Sequence, residues 1–255
     1  MGIGKPATAN PSSATPAIIP IVSDLWSDLA RRAGLELSEQ QREKLARFLD
    51  LLLEANTRMN LTRITDRAEA DVQHVGDALT VLPFLPAGQV RLVDVGAGGG
   101  IPGIPLAIAR PDATVLLVES TKKKAAFLRQ AIEALGLMNV SVSEWRAEDV
   151  GHSNNRESFD IAVARAVATL PWLAEWLLPL VRKGGKMLAM KGPKVADELP
   201  VAKKPIQLAG GGEATIHPVS LPGTEHRVIV EIPKVARSDT RLPRPATQAK
   251  GKPLA

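Results

Sequence analysis

One stretch constrains the fold of this chain more than any other: Asp94-Val95-Gly96-Ala97-Gly98-Gly99-Gly100-Ile101-Pro102-Gly103. It follows the short apolar run 90–95 and leads into the helical pattern 104–109. A glycine-rich turn from strand to helix lets the backbone bend sharply and approach a ligand closely. In parallel α/β sheets such turns lie beyond the carboxyl ends of the strands, where strand order reverses and ligands bind.

The rest of the pattern agrees with a parallel sheet. Further apolar β-type runs occupy 114–119, 140–144, 159–164 and 185–190. Helical periodicity separates them at 122–135 and 170–181. Strand alternating with helix predicts a sheet covered on both faces. The runs 206–217 and 227–232 show no clear helix between them and predict a closing antiparallel pair. Ahead of the sheet, Leu25, Trp26, Leu29 and Ala33 recur at helical spacing, and Gly34 can end that helix. Ser38 with Gln41 reads as a capping box opening a second helix. Asp66 with Glu69 opens a third, expected to run to about Leu82. The expected organisation is a Pro/Ser/Ala-rich disordered tail over 1–20, a helical extension over 21–87, the α/β core over 88–235 and a disordered basic tail over 236–255.

Composition narrows the chemistry. The 255 residues include no cysteine, which excludes disulfides, thiolate nucleophiles and Cys-based metal sites. The four histidines, His74, His152, His217 and His226, show no metal-ligand spacing, so no metal is expected. No apolar run approaches a membrane span and no signal peptide is visible, so the chain reads as soluble and cytoplasmic, and with no extra exposed apolar face evident it reads as a monomer. Net charge is +5, part of it from Arg237, Arg241, Arg244, Lys250 and Lys252 in the C-terminal tail. That excess suits a polyanionic partner without requiring one.

Two cofactors compete for the loop. Gly98, Gly100 and Gly103 match the dinucleotide spacing, which would make the chain a nicotinamide-dependent oxidoreductase. A dinucleotide, however, needs free amides at the helix start to hold its pyrophosphate. Pro102 and Pro105 remove two donors there, which costs S-adenosylmethionine nothing because it carries no phosphate. Asp94 suits a site that orients the loop and receives a cationic ligand. Glu119, at the end of the second strand, can accept from both ribose hydroxyls of either cofactor. The turn Glu144–Asp149 brings the backbone of Ala147 and Glu148 to where an adenine edge would lie.

Absences also limit the methyl acceptor. Without cysteine, covalent activation of a pyrimidine C5 is excluded. After the fourth strand stands Ala164-Arg165-Ala166-Val167, not the polar-Pro-Pro-aromatic motif of adenine-N6 enzymes. A ring nitrogen such as guanine N7 loses no proton and needs no general base, which agrees with a loop bearing Arg165. Lys122, Lys123 and Lys124 place positive charge at a helix start, where it is mildly unfavourable, and read as a phosphate-binding rim. Lys191 stands beside Gly192-Pro193 in a turn where active-site loops gather. Trp172 and Trp176 share a helix face and read as core packing.

Taken together, the glycine loop with its Ile-Pro-Gly-Ile-Pro-Leu continuation, Arg165-Ala166-Val167-Ala168, Asn60-Leu61-Thr62, His74 with Asp77, and Met190-Lys191-Gly192 resemble the bacterial small-subunit ribosomal RNA methyltransferase G family. That family is also called glucose-inhibited division protein B. The resemblance covers roughly residues 20 to 235. It implies a Rossmann-like class I methyltransferase with a mostly parallel seven-stranded sheet. It implies S-adenosylmethionine-dependent methylation of N7 of a guanine in 16S ribosomal RNA, on the small subunit. By the same resemblance Gly96, Ile101, Ala147, Glu148 and Arg165 contact the cofactor and Glu119 holds its ribose. Asn60, Arg63, His74, Asp77, Arg165 and Lys191 line the acceptor side, with Arg165 and Lys191 as the catalytic pair. Some members carry Arg-His where this chain has His226-Arg227, so no RNA contact is assigned there.

Overall fold

A computed structural model describes residues 20–224 and 226–245, together with Met1, Thr247 and Leu254. The N-terminal tail expected over 1–20 and most of the chain beyond 245, with Lys250 and Lys252, lie outside the described residues.

The helical extension begins with α1 (Pro20–Arg32), whose Trp26, Leu29 and Ala30 are buried. Gly34, at φ +72°, turns the chain out of it. The capping box opens α2 (Glu39–Met59): the Gln41 amide donates to Ser38 Oγ at 3.2 Å, and the Ser38 amide donates to Gln41 Oε1 at 2.8 Å. Leu45, Phe48, Leu49 and Leu52 project from one face of α2 and are fully buried. Each such side chain contributes about 1.5–3 kcal/mol by leaving water.

The third expected helix is interrupted. The Asp66 side chain caps α3 (Arg67–Ala70) by accepting from the Glu69 amide. The chain then widens into a π-turn, Asp71–Gly76, before the short α4 (Asp77–Leu79). π-turns of this kind recur at functional sites. Here the wider turn places His74 and Asp77, each 2% exposed, against the end of a strand.

The sheet has seven strands in the order β3-β2-β1-β4-β5-β7-β6. They are β1 (Val90–Val95), β2 (Ala113–Val118), β3 (Val140–Ser143), β4 (Phe159–Arg165), β5 (Val181–Lys191), β6 (Thr215–Val219) and β7 (Arg227–Pro233). The first five pair in parallel, and β7 is antiparallel to both β5 and β6. Between them run α5 (Gly103–Ala109), α6 (Lys122–Leu135), α7 (Ala147–Gly151), α8 (Leu170–Leu177) and α9 (Val195–Leu208). One apolar cluster joins α1, α2, α5 and α6 to the sheet, and a second joins α7, α8 and α9 to its other face. Strand order reverses between β1 and β4, which opens the crevice at their carboxyl ends.

Two expectations are corrected. Residues 206–208, read as the start of a strand, end α9 instead, and β6 begins only at Thr215. Pro200 and Pro205 hide this helix from a propensity reading, but Val195, Ala202, Pro205 and Ile206 bury one face of it, and that burial decides. The basic tail expected to be disordered from residue 236 is packed over its first part. Leu242 is 3% exposed, and the Arg244 guanidinium bonds both oxygens of Glu175 at 2.7 Å.

Where this segment leaves β7, Lys234 is buried. Its ammonium donates to the carbonyls of Leu178 and Ala209 and to Ser238 Oγ, and lies 3.2 Å from Glu157 Oε1. Burial lowers its pKa from 10.5 to about 8, against the raising effect of Glu157. The folded chain therefore binds fewer protons than the unfolded chain between those values. Stability rises with pH across this window and is lost as pH falls through it. The chain has no tyrosine or cysteine to titrate there. Urea unfolding of wild type and Lys234→Met from pH 8 to 10.5 is expected to show a gain of about 3 kcal/mol in wild type only. Equal slopes in both proteins would disprove it.

Candidate active site

The glycine loop is fixed by the strands around it. The amides of Gly96 and Ala97 donate to Val118 O at 2.8 and 3.1 Å, which pins the loop to the end of β2. Gly96 takes φ +72°, and a Cβ there would stand 2.7 Å from Val167 Cγ2. At Gly103 a Cβ would meet Leu117 Cδ2 at 2.3 Å, so only glycine lets α5 start this close to the sheet.

Both carboxylates found in the sequence hold the loop. Asp94 is fully buried, and its Oδ2 accepts from the Gly103 amide at 2.8 Å. Burial pushes its carboxyl up to about 7, against the lowering effects of the Gly103 amide and the Arg165 guanidinium. Glu119 Oε2 accepts from the Gly98 amide at 3.0 Å and Oε1 from the Thr121 amide at 2.7 Å. Most of the remaining loop amides are also engaged, that of Gly99 excepted. Gly100 and Ile101 donate to Ala97 O, and Ile104 donates to Gly100 O. Pro102 and Pro105 have no amide hydrogen. The loop thus lacks the row of outward amides that a pyrophosphate requires.

Beside the loop lies a cavity of about 210 Å³. Of the expected cofactor residues, Gly96, Glu119, Ala147 and Glu148 line it. Asp94, Gly98, Gly100, Ile101 and Arg165 do not. Gly98 and Gly100 shape the loop at φ +54° and +88°, and Ile101 packs into the apolar cluster that contains Leu52. Its wall also includes Val167, Trp145 and Trp176, which the sequence reading did not place there. Trp145 is half exposed at 56%. The Trp172 and Trp176 rings lie 5.5 Å apart, tilted by 48°, and Trp176 is partly buried against the second apolar cluster as expected while also lining the cavity. Its helical spacing shows which face it shares with Trp172, not that it borders the cavity. Among the described residues, the buried side-chain polar atoms without a hydrogen-bond partner are Asp94 Oδ1 and Trp176 Nε1. One belongs to the loop-bearing strand and the other to the cavity wall.

Of the acceptor candidates, Arg165, His74 and Asp77 come together. Arg165, at the end of β4, donates to Gln73 O at 2.8 Å and to Asp77 Oδ2 at 3.1 Å, so the sheet grips the π-turn. His74 Nε2 lies 2.9 Å from the Thr62 hydroxyl, and its Nδ1 lies 3.4 Å from Arg165 Nη2. Burial first, then Arg165, lowers His74 from 6.5 to about 4, so its ring is neutral at neutral pH. Asn60 ends α2 in the left-handed conformation at φ 50°, and both it and Arg63 are exposed. Lys122 and Lys123 are exposed at the start of α6, next in the chain to the Glu119 turn. Lys191 has partners of its own: its ammonium donates to Ala168 O at 2.9 Å and pairs with Glu198 at 2.8 Å. Any RNA contact by Lys191 competes with that ion pair. Among the described residues no group of three His, Asp or Glu side chains gathers as a metal site, and no helix is long and apolar enough to cross a membrane.

A parallel five-strand core with an antiparallel β7 inserted before β6, and a carboxylate-anchored glycine loop at its switch point, define a Rossmann-like class I methyltransferase. Comparison with known proteins narrows this. The profile of the rRNA small subunit methyltransferase G family (GidB) matches residues 41–228, and the chain belongs to that family. Its relatives include ribosomal RNA small subunit methyltransferase G of Roseiflexus sp. (strain RS-1), 44% identical over 87% of this chain and 95% of that protein. The protein of the same name from Pelotomaculum thermopropionicum is 41% identical over 92% of this chain and 99% of its own length. Among solved structures, a ribosomal protein L11 methylase from Lactobacillus delbrueckii subsp. bulgaricus is similar at a TM-score of 0.49 and 14% identity, over 64% of this chain and 79% of that one. Membership in a methyltransferase family sets aside the oxidoreductase alternative.

Proposed function

We propose that this chain transfers a methyl group from S-adenosylmethionine to N7 of one guanine of 16S ribosomal RNA in the small ribosomal subunit, as a cytoplasmic monomer. The observation that carries the cofactor reading is the loop itself. Its amides, that of Gly99 excepted, are engaged within the protein, while Glu119, Ala147 and Glu148 line a cavity at the switch point. That arrangement suits a nucleoside without a pyrophosphate.

Each Glu119 oxygen bonds one amide and keeps a further lone pair for a ribose hydroxyl. Gly96, Ala147 and Glu148 would border the adenine and ribose. Asp94, Gly98, Gly100 and Ile101 act through the shape of the loop, and Arg165 meets its methionine end. When bound, the cofactor supplies an electrophilic methyl group. The protein's share is alignment. The extension over 21–87 supplies Asn60, Arg63, His74 and Asp77 to the acceptor side, and the core over 88–235 supplies Lys122, Lys123 and Lys191. Arg165 and Lys191 are the catalytic pair, as cations that fix the base and its phosphates. Guanine N7 has no proton to lose, and a neutral His74 with a pKa of about 4 is a poor base. The site therefore fits a ring-nitrogen acceptor better than one that must be deprotonated.

The test is incubation with labelled S-adenosylmethionine and small subunits from a strain lacking this methylation. Label is expected in 16S ribosomal RNA, at N7 of a single guanine on mass-spectrometric mapping. No incorporation, or label on another atom, would overturn the proposal.

A further inference from the structure

We infer that the C-terminal segment 236–245 is a strap that sets the back wall of the cofactor cavity, with Arg244 as its positioning residue. This rests on the cofactor reading above. The segment lies beyond residues 41–228 that the family profile matches. It is also the part of the expected disordered tail that the structure folds down.

The strap touches both short helices that carry the cavity wall. On α8, Glu175 is 2% exposed and is the residue before Trp176. Its carboxylate accepts from the Arg244 amide at 3.0 Å and from the Arg244 guanidinium through Nε and Nη2, each at 2.7 Å. A bidentate pair fixes direction as well as distance. On α7, which carries Ala147 and Glu148, Gly151 packs so tightly on the strap that a Cβ would stand 2.5 Å from Pro243 Cγ. His152 Nε2 lies 2.8 Å from Pro243 O. Arg156 ties the two together, donating to Gly151 O at 3.0 Å and to Leu242 O at 2.6 Å. Ala147 and Val150 pack the five-residue α7 into the second apolar cluster, and the strap backs its C-terminal end at Gly151 and His152. A second cavity of about 380 Å³ lies between them. Arg146 and Glu148 line it as well as the first, and Pro243 and Pro245 close it from the strap side. One wall thus separates cofactor from strap.

A strap that only adds stability would change melting and nothing else. A strap that positions α7 and α8 changes cofactor affinity in molecules that remain folded. The experiment measures the Kd for S-adenosylhomocysteine by calorimetry at a temperature where each protein is folded, with KM and kcat for methyl transfer alongside. The proteins are wild type, Arg244→Ala, Arg244→Lys and the double variant Glu175→Gln with Arg244→Met. The double variant removes the buried charge that Arg244→Ala would leave unpaired, so it reports even if the single variant fails to fold. Kd and KM for the cofactor are expected to rise about tenfold in Arg244→Ala and in the double variant, because alignment is lost at the wall. Arg244→Lys falls between them and wild type, since an ammonium cannot form the fork. The KM for RNA and kcat at saturating cofactor stay within about twofold. A lowered melting temperature with Kd unchanged in the folded variants would overturn the inference. Failure of wild type to bind S-adenosylhomocysteine would instead strike the cofactor assignment on which it stands.

Discussion

Replacing Glu119 by alanine is expected to weaken S-adenosylhomocysteine binding by about 100-fold and to lower turnover at fixed cofactor in parallel. The carboxylate has two tasks. It accepts from the amides of Gly98 and Thr121, and so holds the tip of the loop against the end of β2. Its remaining lone pairs are the proposed seat of the ribose hydroxyls. Hydrogen bonds to a charged group contribute about 1.5–3 kcal/mol each, and a net loss near 3 kcal/mol is about two orders of magnitude in affinity. Glu119→Gln is a sharper probe. Its amide group turns a donor toward one of the two backbone N–H groups, so it should recover only part of the loss. Calorimetry on the three proteins decides the matter: a Kd within threefold of wild type in the alanine variant would mean that the sugar sits elsewhere.

Arg165→Ala is expected to be the most damaging substitution on the acceptor side. The guanidinium joins the end of β4 to the π-turn through Gln73 O and Asp77. Asp77 has a side chain only 3% exposed, and removing its partner leaves a buried carboxylate uncompensated. Breaking such a pair from one side costs about 3–5 kcal/mol. Denaturant unfolding should show that loss, and Arg165→Ala combined with Asp77→Asn should recover most of it by removing the stranded charge. If Arg165 also fixes the base, the stabilised double variant remains deficient in methyl transfer by about 100-fold. Full activity in the double variant would reduce Arg165 to a fold-holding role. Arg165→Lys keeps the charge on a shorter side chain, whose ammonium falls short of the position from which Nη1 reaches both Gln73 O and Asp77, so it should sit between wild type and the alanine variant.

The site was legible in the sequence where its signals are local. Gly96 and Gly103 require glycine because of backbone sign and close approach, and both facts follow from a turn that must pass from β1 into α5 within a few residues. Pro102 and Pro105 announce a loop with few donors. The loop itself goes further, since Asp94 and Glu119 engage amides that a sequence alone leaves free. The two prolines of α9 hide that helix from its sequence, and the spacing of Trp172 and Trp176 shows the shared face that packs on the core but not that Trp176 also lines the cavity.

By itself the sequence determined the strand–helix alternation, the glycine turn, the acidic residues at the ends of β1 and β2, and through them a nucleoside-binding α/β enzyme. Those features depend on contacts within a few residues, or on a periodicity that one element displays alone. The tertiary structure alone decided which charges meet. Lys191 pairs with Glu198, Arg165 with Asp77, Lys234 with Glu157 and Arg244 with Glu175, and the last of these turns an apparent tail into a strap. Nothing along the chain marks such partners, because the low dielectric that makes each pair necessary exists only after the sheet and its two helical layers have closed around them.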